Sequence, residues 1–174
     1  MVPGASAGGR SGPRGTAKDR ALVLLGVRWR SREELRRRLL QAGFEAEEVE
    51  AAIADLQAAG LVDDLRFARE VAMHQGGRRG SGDRAVRSAL RQKGVAEEEI
   101  LRALGDLGDE AERAAALAAS RASRMTALDP QAAHRRLYGL LLRRGYGPDV
   151  ARDASRKALA DALGGATADA DPHG

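Results

Sequence analysis

Apolar residues along this chain fall three or four positions apart. Leu35 and Leu39 stand in one such stripe, Val49, Ile53 and Leu56 in the next, and Val86, Ala89 and Leu90 follow. Ile100, Leu101 and Leu104, then Leu137, Leu140 and Leu141, then Val150, Ala154, Ala158 and Leu159 continue the pattern. This spacing lines one face of an α-helix. Aromatics make up only 3% of the residues, and few Val, Ile, Tyr or Phe are left over to build strands. The pattern predicts an all-α protein.

The stripes are themselves repeated. A helical stretch ends in glycine plus an apolar residue at Gly43-Phe44, at Gly94-Val95 and at Gly145-Tyr146, with 51 residues between successive glycines. Leu35, Val86 and Leu137 share a column of this repeat, and Leu39, Leu90 and Leu141 share another. A glycine just past a helix end adopts positive φ without a Cβ penalty, and the apolar residue after it packs back on the last turn. A period of this length marks a stacked array of supersecondary units. We therefore expect three tandem three-helix repeats, winged-helix-like or helix-turn-helix-like, in an elongated curved array.

The repeats are placed at 17–60, 61–108 and 109–163, between disordered tails at 1–16 and 164–174. In the first, helices are expected over Ala17–Val27, Arg32–Ala42 and Ala46–Ala59, with Ser31 and Glu34 as a capping box and Gly60 as a C-cap. In the second, Asp63 is the expected N-cap with Asp64 in the first turn, and His74–Gly82 is a glycine-rich basic linker. In the third, a mostly alanine helix over Glu110–Arg124 precedes Asp129-Pro130, a cap with proline at the first helical position. The last helix is more polar than its counterparts, and fraying is expected there.

Composition narrows the function classes. There is no cysteine, which removes disulfides and thiolate metal sites. No apolar run approaches the ~20 residues that span a bilayer, and MVPGASAGGRSGPRG lacks the apolar region of a secretory signal. A cytoplasmic protein without membrane contact is the expectation. The net charge is +4, and only Lys18, Lys93 and Lys157 of the 29 basic residues are lysine. That excess suits nucleic acid or an acidic protein groove, although so arginine-, alanine- and glycine-rich a chain also fits a GC-rich genome.

No catalytic constellation is visible. GGRRGSG at 76–82 has glycines but neither a preceding strand nor a closing Lys-Ser/Thr, so it is not read as a phosphate loop. His74, His134 and His173 are too dispersed for a metal set. Asp63 and Asp64 are explained as helix-start residues without invoking a metal. Trp29, between Arg28 and Arg30, is read as a partly buried anchor at a helix corner rather than a stacking platform. We expect no enzyme and no cofactor.

Arginines gather near the second helix of every repeat. Arg28, Arg30, Arg32, Arg36, Arg37 and Arg38 do so in the first, Arg78, Arg79, Arg84, Arg87, Arg91 and Lys93 in the second, and Arg135, Arg136, Arg143 and Arg144 in the third. Arg84, Arg87 and Arg91 fall on one helical face. A solvated face balanced by the glutamates of the third helices is one reading. A continuous basic binding strip is the other, with Arg30, Arg36, Arg37, Arg78, Arg79, Arg84, Arg87, Arg91, Lys93, Arg135, Arg143 and Arg144 as the candidate contacts.

Several segments together resemble the RecX family of recombinase regulators. They are ALVLLGVRWRSREELRRRLLQAGF at 21–44, AAGLVDDLRFARE at 58–70, RAVRSALRQKGV at 84–95, EEEILRAL at 97–104 and LLRRGY at 141–146. The resemblance covers about 20–160. It implies tandem three-helix repeats that bind the RecA–DNA filament along its groove. It further implies inhibition of ATPase and strand exchange, with roles in homologous recombination, DNA repair and the SOS response, and weak binding to single- or double-stranded DNA. It brings no catalytic residues and no contact motif. A monomer is expected. A stand-alone helix-turn-helix DNA-binding protein and a helical scaffold that binds neither DNA nor filament are the alternatives.

Overall fold

A computed structural model describes residues 15–168, so the expectations placed on 1–14, on 169–174 and on His173 lie outside the described residues. Among the described residues the chain forms nine α-helices and one π-helical segment, with no strand. The chain divides into two compact units, one ending at Asp64 and the other beginning at Leu65.

The first unit holds α1 (Ala17–Val27), α2 (Arg32–Gln41) and α3 (Ala46–Ala58). Thr16 starts α1 as its N-cap in a full capping box, its hydroxyl accepting from the Asp19 backbone N–H while the Asp19 carboxylate accepts from the Thr16 backbone. The expected tail therefore already takes part in the fold at residue 16. The core is built from Ala17 and Ala21 of α1, Leu35 and Leu39 of α2, and Val49, Ile53 and Leu56 of α3, with Phe44 closing it.

The second unit begins with α4 (Asp64–Ala72), whose first residue lies at the boundary, and continues as the π-helical segment Met73–Arg78. Next come α5 (Asp83–Gln92), α6 (Glu97–Gly105), α7 (Glu110–Ala122), α8 (Pro130–Arg143) and α9 (Pro148–Ala168). It contains two cores. Phe67, Ala68, Val86, Leu90, Ile100 and Leu104 build one. Ala114, Ala118, Leu137, Leu141, Tyr146 and Ala151 belong to the other.

The turn column is realised three times in the same form. Gly43, Gly94 and Gly145 have φ of 93°, 74° and 88°. The N–H of the residue after each glycine donates to the carbonyl five residues back, Phe44 to Leu39 at 3.3 Å, Val95 to Leu90 at 3.2 Å and Tyr146 to Leu141 at 3.2 Å. This is the Schellman closure, and it satisfies a carbonyl that a helix end otherwise leaves bare. The acceptors are the column Leu39, Leu90 and Leu141, and that column and Leu35, Val86 and Leu137 are fully buried. One repeated sequence feature thus seals the helix end and seats the core.

Two expectations change. His74–Gly82 is not an open linker. Its first part winds as the π-helical segment, with the Arg79 N–H donating to the His74 carbonyl at 3.2 Å. Gly76 there faces α6's end, where an added Cβ would lie 2.6 Å from a Leu107 methyl. The last helix runs further than expected. α9 is 21 residues long and crosses the expected boundary at 163. Its buried residues are mostly small, Ala151, Ala154, Ser155 and Ala158, and they lie in one core with Ala114, Ala118 and Ala122 of α7. Close packing of alanine faces replaces the bulky apolar side chains that the sequence reading looked for.

Candidate functional site

The second helices begin where the basic residues cluster, and their N-termini are held from outside. In the first unit Ser31 is fully buried, and its hydroxyl accepts from the Glu34 N–H at 3.1 Å. The next N–H after the cap, that of Arg32, donates to the Asp64 carboxylate at 2.7 Å. Fifty-one residues on, the Asp83 N–H donates in the same way to the Glu110 carboxylate at 2.8 Å. Asp64 and Glu110 each open the next helix but one. Asp64 thus serves another helix's N-terminus, a role that reading it as a first-turn residue of its own helix did not reach.

In the column of Ser31 the second repeat carries Gly82, and geometry explains the exchange. A Cβ at Gly82 would lie 2.3 Å from the Tyr146 nitrogen, and one at Gly145 would lie 2.5 Å from the Ala85 Cβ. The two backbones touch here. The Gly82 N–H donates to the Arg144 carbonyl at 2.8 Å, and the Arg84 N–H donates to the Gly145 carbonyl at 3.1 Å. The start of α5 thereby gains from the turn after α8 the partner that a serine cap would otherwise supply. Arg113 of α7 reinforces this joint. It pairs with Asp83 and donates to the Gly108 carbonyl at 2.7 Å.

The candidate basic residues separate into three groups. Arg30 is a correction. It is only 6% exposed and donates through Nε to the Leu24 carbonyl at 3.2 Å, so it is an interior residue of the first unit and not a surface contact. Burial, with Arg28 and Arg38 nearby, pulls its pKa down.

The second group is engaged within the fold. Arg36 donates to Glu50 at 2.6 Å, and Arg32 shares that carboxylate at 3.1 Å. Their hydrogen bonds hold Glu50 below the usual carboxylate range. Arg37 pairs with Glu33 at 3.6 Å, Arg87 with Glu97 at 3.3 Å and Arg91 with Glu97 at 2.9 Å. The Lys93 ammonium sits 5.8 Å from the centre of the Phe67 ring. On α2, therefore, much of the expected basic face is already matched by acid.

The third group has no ion pair among the described residues: Arg78, Arg79, Arg84, Arg135 and Arg143, all exposed, and the half-buried Arg144. Arg78, Arg79 and Arg144 line one cleft of about 360 Å³ between the π-helical segment and α7. Arg144 donates there to the Arg79 carbonyl. The cleft adds Arg113, Arg121 and Tyr146, which the sequence reading did not select. One signal was available: the column Phe44, Val95, Tyr146 holds a single hydroxyl. Arg135 lies elsewhere, in a groove of about 450 Å³ with His134 and Arg156.

An apolar patch accompanies the charges. Trp29, 37% exposed, lines a groove of about 260 Å³ with Leu22, Leu25, Gly26 and Leu61 in the first unit. Among the described residues no three His, Asp or Glu groups converge as metal ligands, and no helix is long and apolar enough to cross a membrane.

Repeated three-helix modules, with arginines clustered near the second helix of each, define an all-α helical-repeat protein. Comparison with known proteins makes this specific. Successive stretches match the descriptions "RecX, first three-helix domain" at 17–56, "RecX, second three-helix domain" at 63–104 and "RecX, third three-helix domain" at 108–154. The chain belongs to the RecX family of regulatory proteins. The regulatory protein RecX of Amycolatopsis mediterranei is 35% identical over 145 residues, covering 82% of this chain and 83% of the relative. That of Mycolicibacterium smegmatis is 39% identical over 152 residues, covering 83% and 80%. The crystal structure of RecX from Lactobacillus salivarius superposes with a TM-score of 0.73 at 19% identity, covering 82% of this chain and 94% of that one, and attests the shared fold.

Proposed function

We propose that this protein regulates homologous recombination by binding the RecA–DNA filament and inhibiting its ATPase and strand exchange, through contacts and without catalysis of its own. The observation that carries the reading is family membership across all three modules. The surface is consistent with it. Arg78, Arg79, Arg84 and Arg144 offer charge to acidic protein or to phosphate, and the exposed Trp29 groove suits a protein partner more than a nucleic acid.

The ion pairing weakens the alternative of a stand-alone helix-turn-helix reader of DNA. A recognition helix uses its side chains on base edges. On α5, Arg87 and Arg91 are instead directed at Glu97. Fluorescence anisotropy with labelled single-stranded and duplex DNA, free and coated with the cognate RecA, separates the two. Filament regulation predicts much tighter binding to the coated strand at near-physiological salt. Equal or tighter sequence-selective binding to naked duplex would refute it.

A further inference from the structure

The cleft beside the π-helical segment carries more cationic hydrogen-bonding capacity than the fold uses. Five guanidinium groups line it, those of Arg78, Arg79, Arg113, Arg121 and Arg144. Among the described residues Arg113 alone of these pairs with a carboxylate, Asp83. Three buried polar atoms of the lining have no hydrogen-bond partner among the described residues, Nε of Arg113, Nε of Arg121 and the hydroxyl of Tyr146. Tyr146 is 0% exposed. Burying a hydroxyl without a partner is costly, so native proteins rarely keep one. Each of the three can donate.

The backbone around them is held in place. The paired glycines Gly82 and Gly145 bring the turn after α8 against the start of α5, which fixes Arg144 and Tyr146 beside the π-helical segment. π-Helical insertions are rare and concentrate at functional sites. Gly76 and Gly77 leave that wall without side chains. Planar guanidinium forks match tetrahedral oxyanions, and a tyrosine O–H adds a neutral donor. Burial pushes the Tyr146 hydroxyl's pKa upward, so it keeps its proton at neutral pH.

We propose that this cleft binds a phosphate-type oxyanion, held by Arg79, Arg121 and Arg144 with the Tyr146 hydroxyl as donor. The segment still lacks the signature of a nucleotide phosphate loop. The grip comes from arginines on three elements, not from a helix N-terminus. Free phosphate or pyrophosphate and the phosphodiester of a nucleic-acid strand share this chemistry. The site stands apart from filament regulation, because its occupancy requires neither the recombinase nor its ATPase.

Calorimetric titration of inorganic phosphate and pyrophosphate into the full chain, with ionic strength held constant by chloride, tests it. Saturable binding at one site is expected. Arg121→Gln should weaken it about tenfold, the loss of one charge-assisted hydrogen bond. Tyr146→Phe should weaken it less while leaving the unliganded protein at least as heat-stable as the parent. Arg135→Gln, in the other groove, should leave it unchanged. A short single-stranded oligonucleotide as competitor identifies the source. Displacement of pyrophosphate assigns the site to backbone phosphate, and persistence assigns it to a free anion. No saturable heat at millimolar anion, or binding unaffected by both Arg121→Gln and Tyr146→Phe, overturns the proposal.

Discussion

Glycine is required in this column for more than one reason. Gly43 and Gly94 adopt positive φ. For an L-residue that costs about 1–2 kcal/mol. Gly145 needs it too, but its missing Cβ is also required by the backbone of Ala85, 2.7 Å away at the nitrogen. Gly82 has ordinary φ and is required by contact alone. Urea denaturation should therefore show Gly145→Ala losing about 1–2 kcal/mol for its backbone conformation and about 1–3 kcal/mol more for overpacking against Ala85. Gly82→Ala should also destabilise, although its backbone conformation permits alanine. A Gly82→Ala protein as stable as its parent would mean that the contact between the two turns is absent in solution. The sequence could announce the first role, because a glycine after an apolar stripe has one usual meaning. It could not announce the second, because nothing local says which backbone will arrive opposite residue 82.

At the scale of elements, the leucine columns and the helix starts dominate. Leu141 is fully buried, and its carbonyl closes the turn into Tyr146. Leu141→Ala should cost about 2–5 kcal/mol by thermal or urea unfolding. Exposed ion pairs matter less, typically below about 1 kcal/mol each. Their pH dependence has a definite sign. Asp19 is held below its ordinary value chiefly by the Thr16 hydroxyl, and Glu50 chiefly by Arg36. A carboxylate whose folded pKa is lowered contributes stability above its unfolded value, about 4 here. That contribution is lost as pH falls through the lowered value. The melting temperature should thus fall on acidification below about pH 4, and Glu50→Gln should flatten part of that slope. A slope unchanged by Glu50→Gln would mean that the Arg36–Glu50 pair contributes no pH-dependent stability. Helix positions were legible almost throughout, because a 3.6-residue period and a glycine stop are local signals. The π-helical segment and the full length of α9 were not. The first depends on Leu107 packing over Gly76, and the second on alanine faces that carry little hydrophobic contrast.

At the scale of the molecule, arginine clusters read from sequence are a poor map of available charge. Arg30 is interior, and Arg36, Arg37, Arg87 and Arg91 face acids on neighbouring turns and helices. Composition counts charges, whereas only folding says which glutamate reaches which guanidinium. Arg84, exposed at the start of α5, has no ion pair among the described residues. Charge reversal of Arg84, Arg87 and Arg91 together should weaken filament inhibition several-fold, with most of the loss reproduced by Arg84→Glu alone; no change in either protein would move the interface away from α5. Regulation by filament binding is tested by titrating the protein into the single-strand-dependent ATPase reaction of its cognate RecA. Saturable inhibition at micromolar or lower concentrations is expected, with no ATP hydrolysis by the added protein itself. An ATPase rate unchanged by micromolar protein would contradict it.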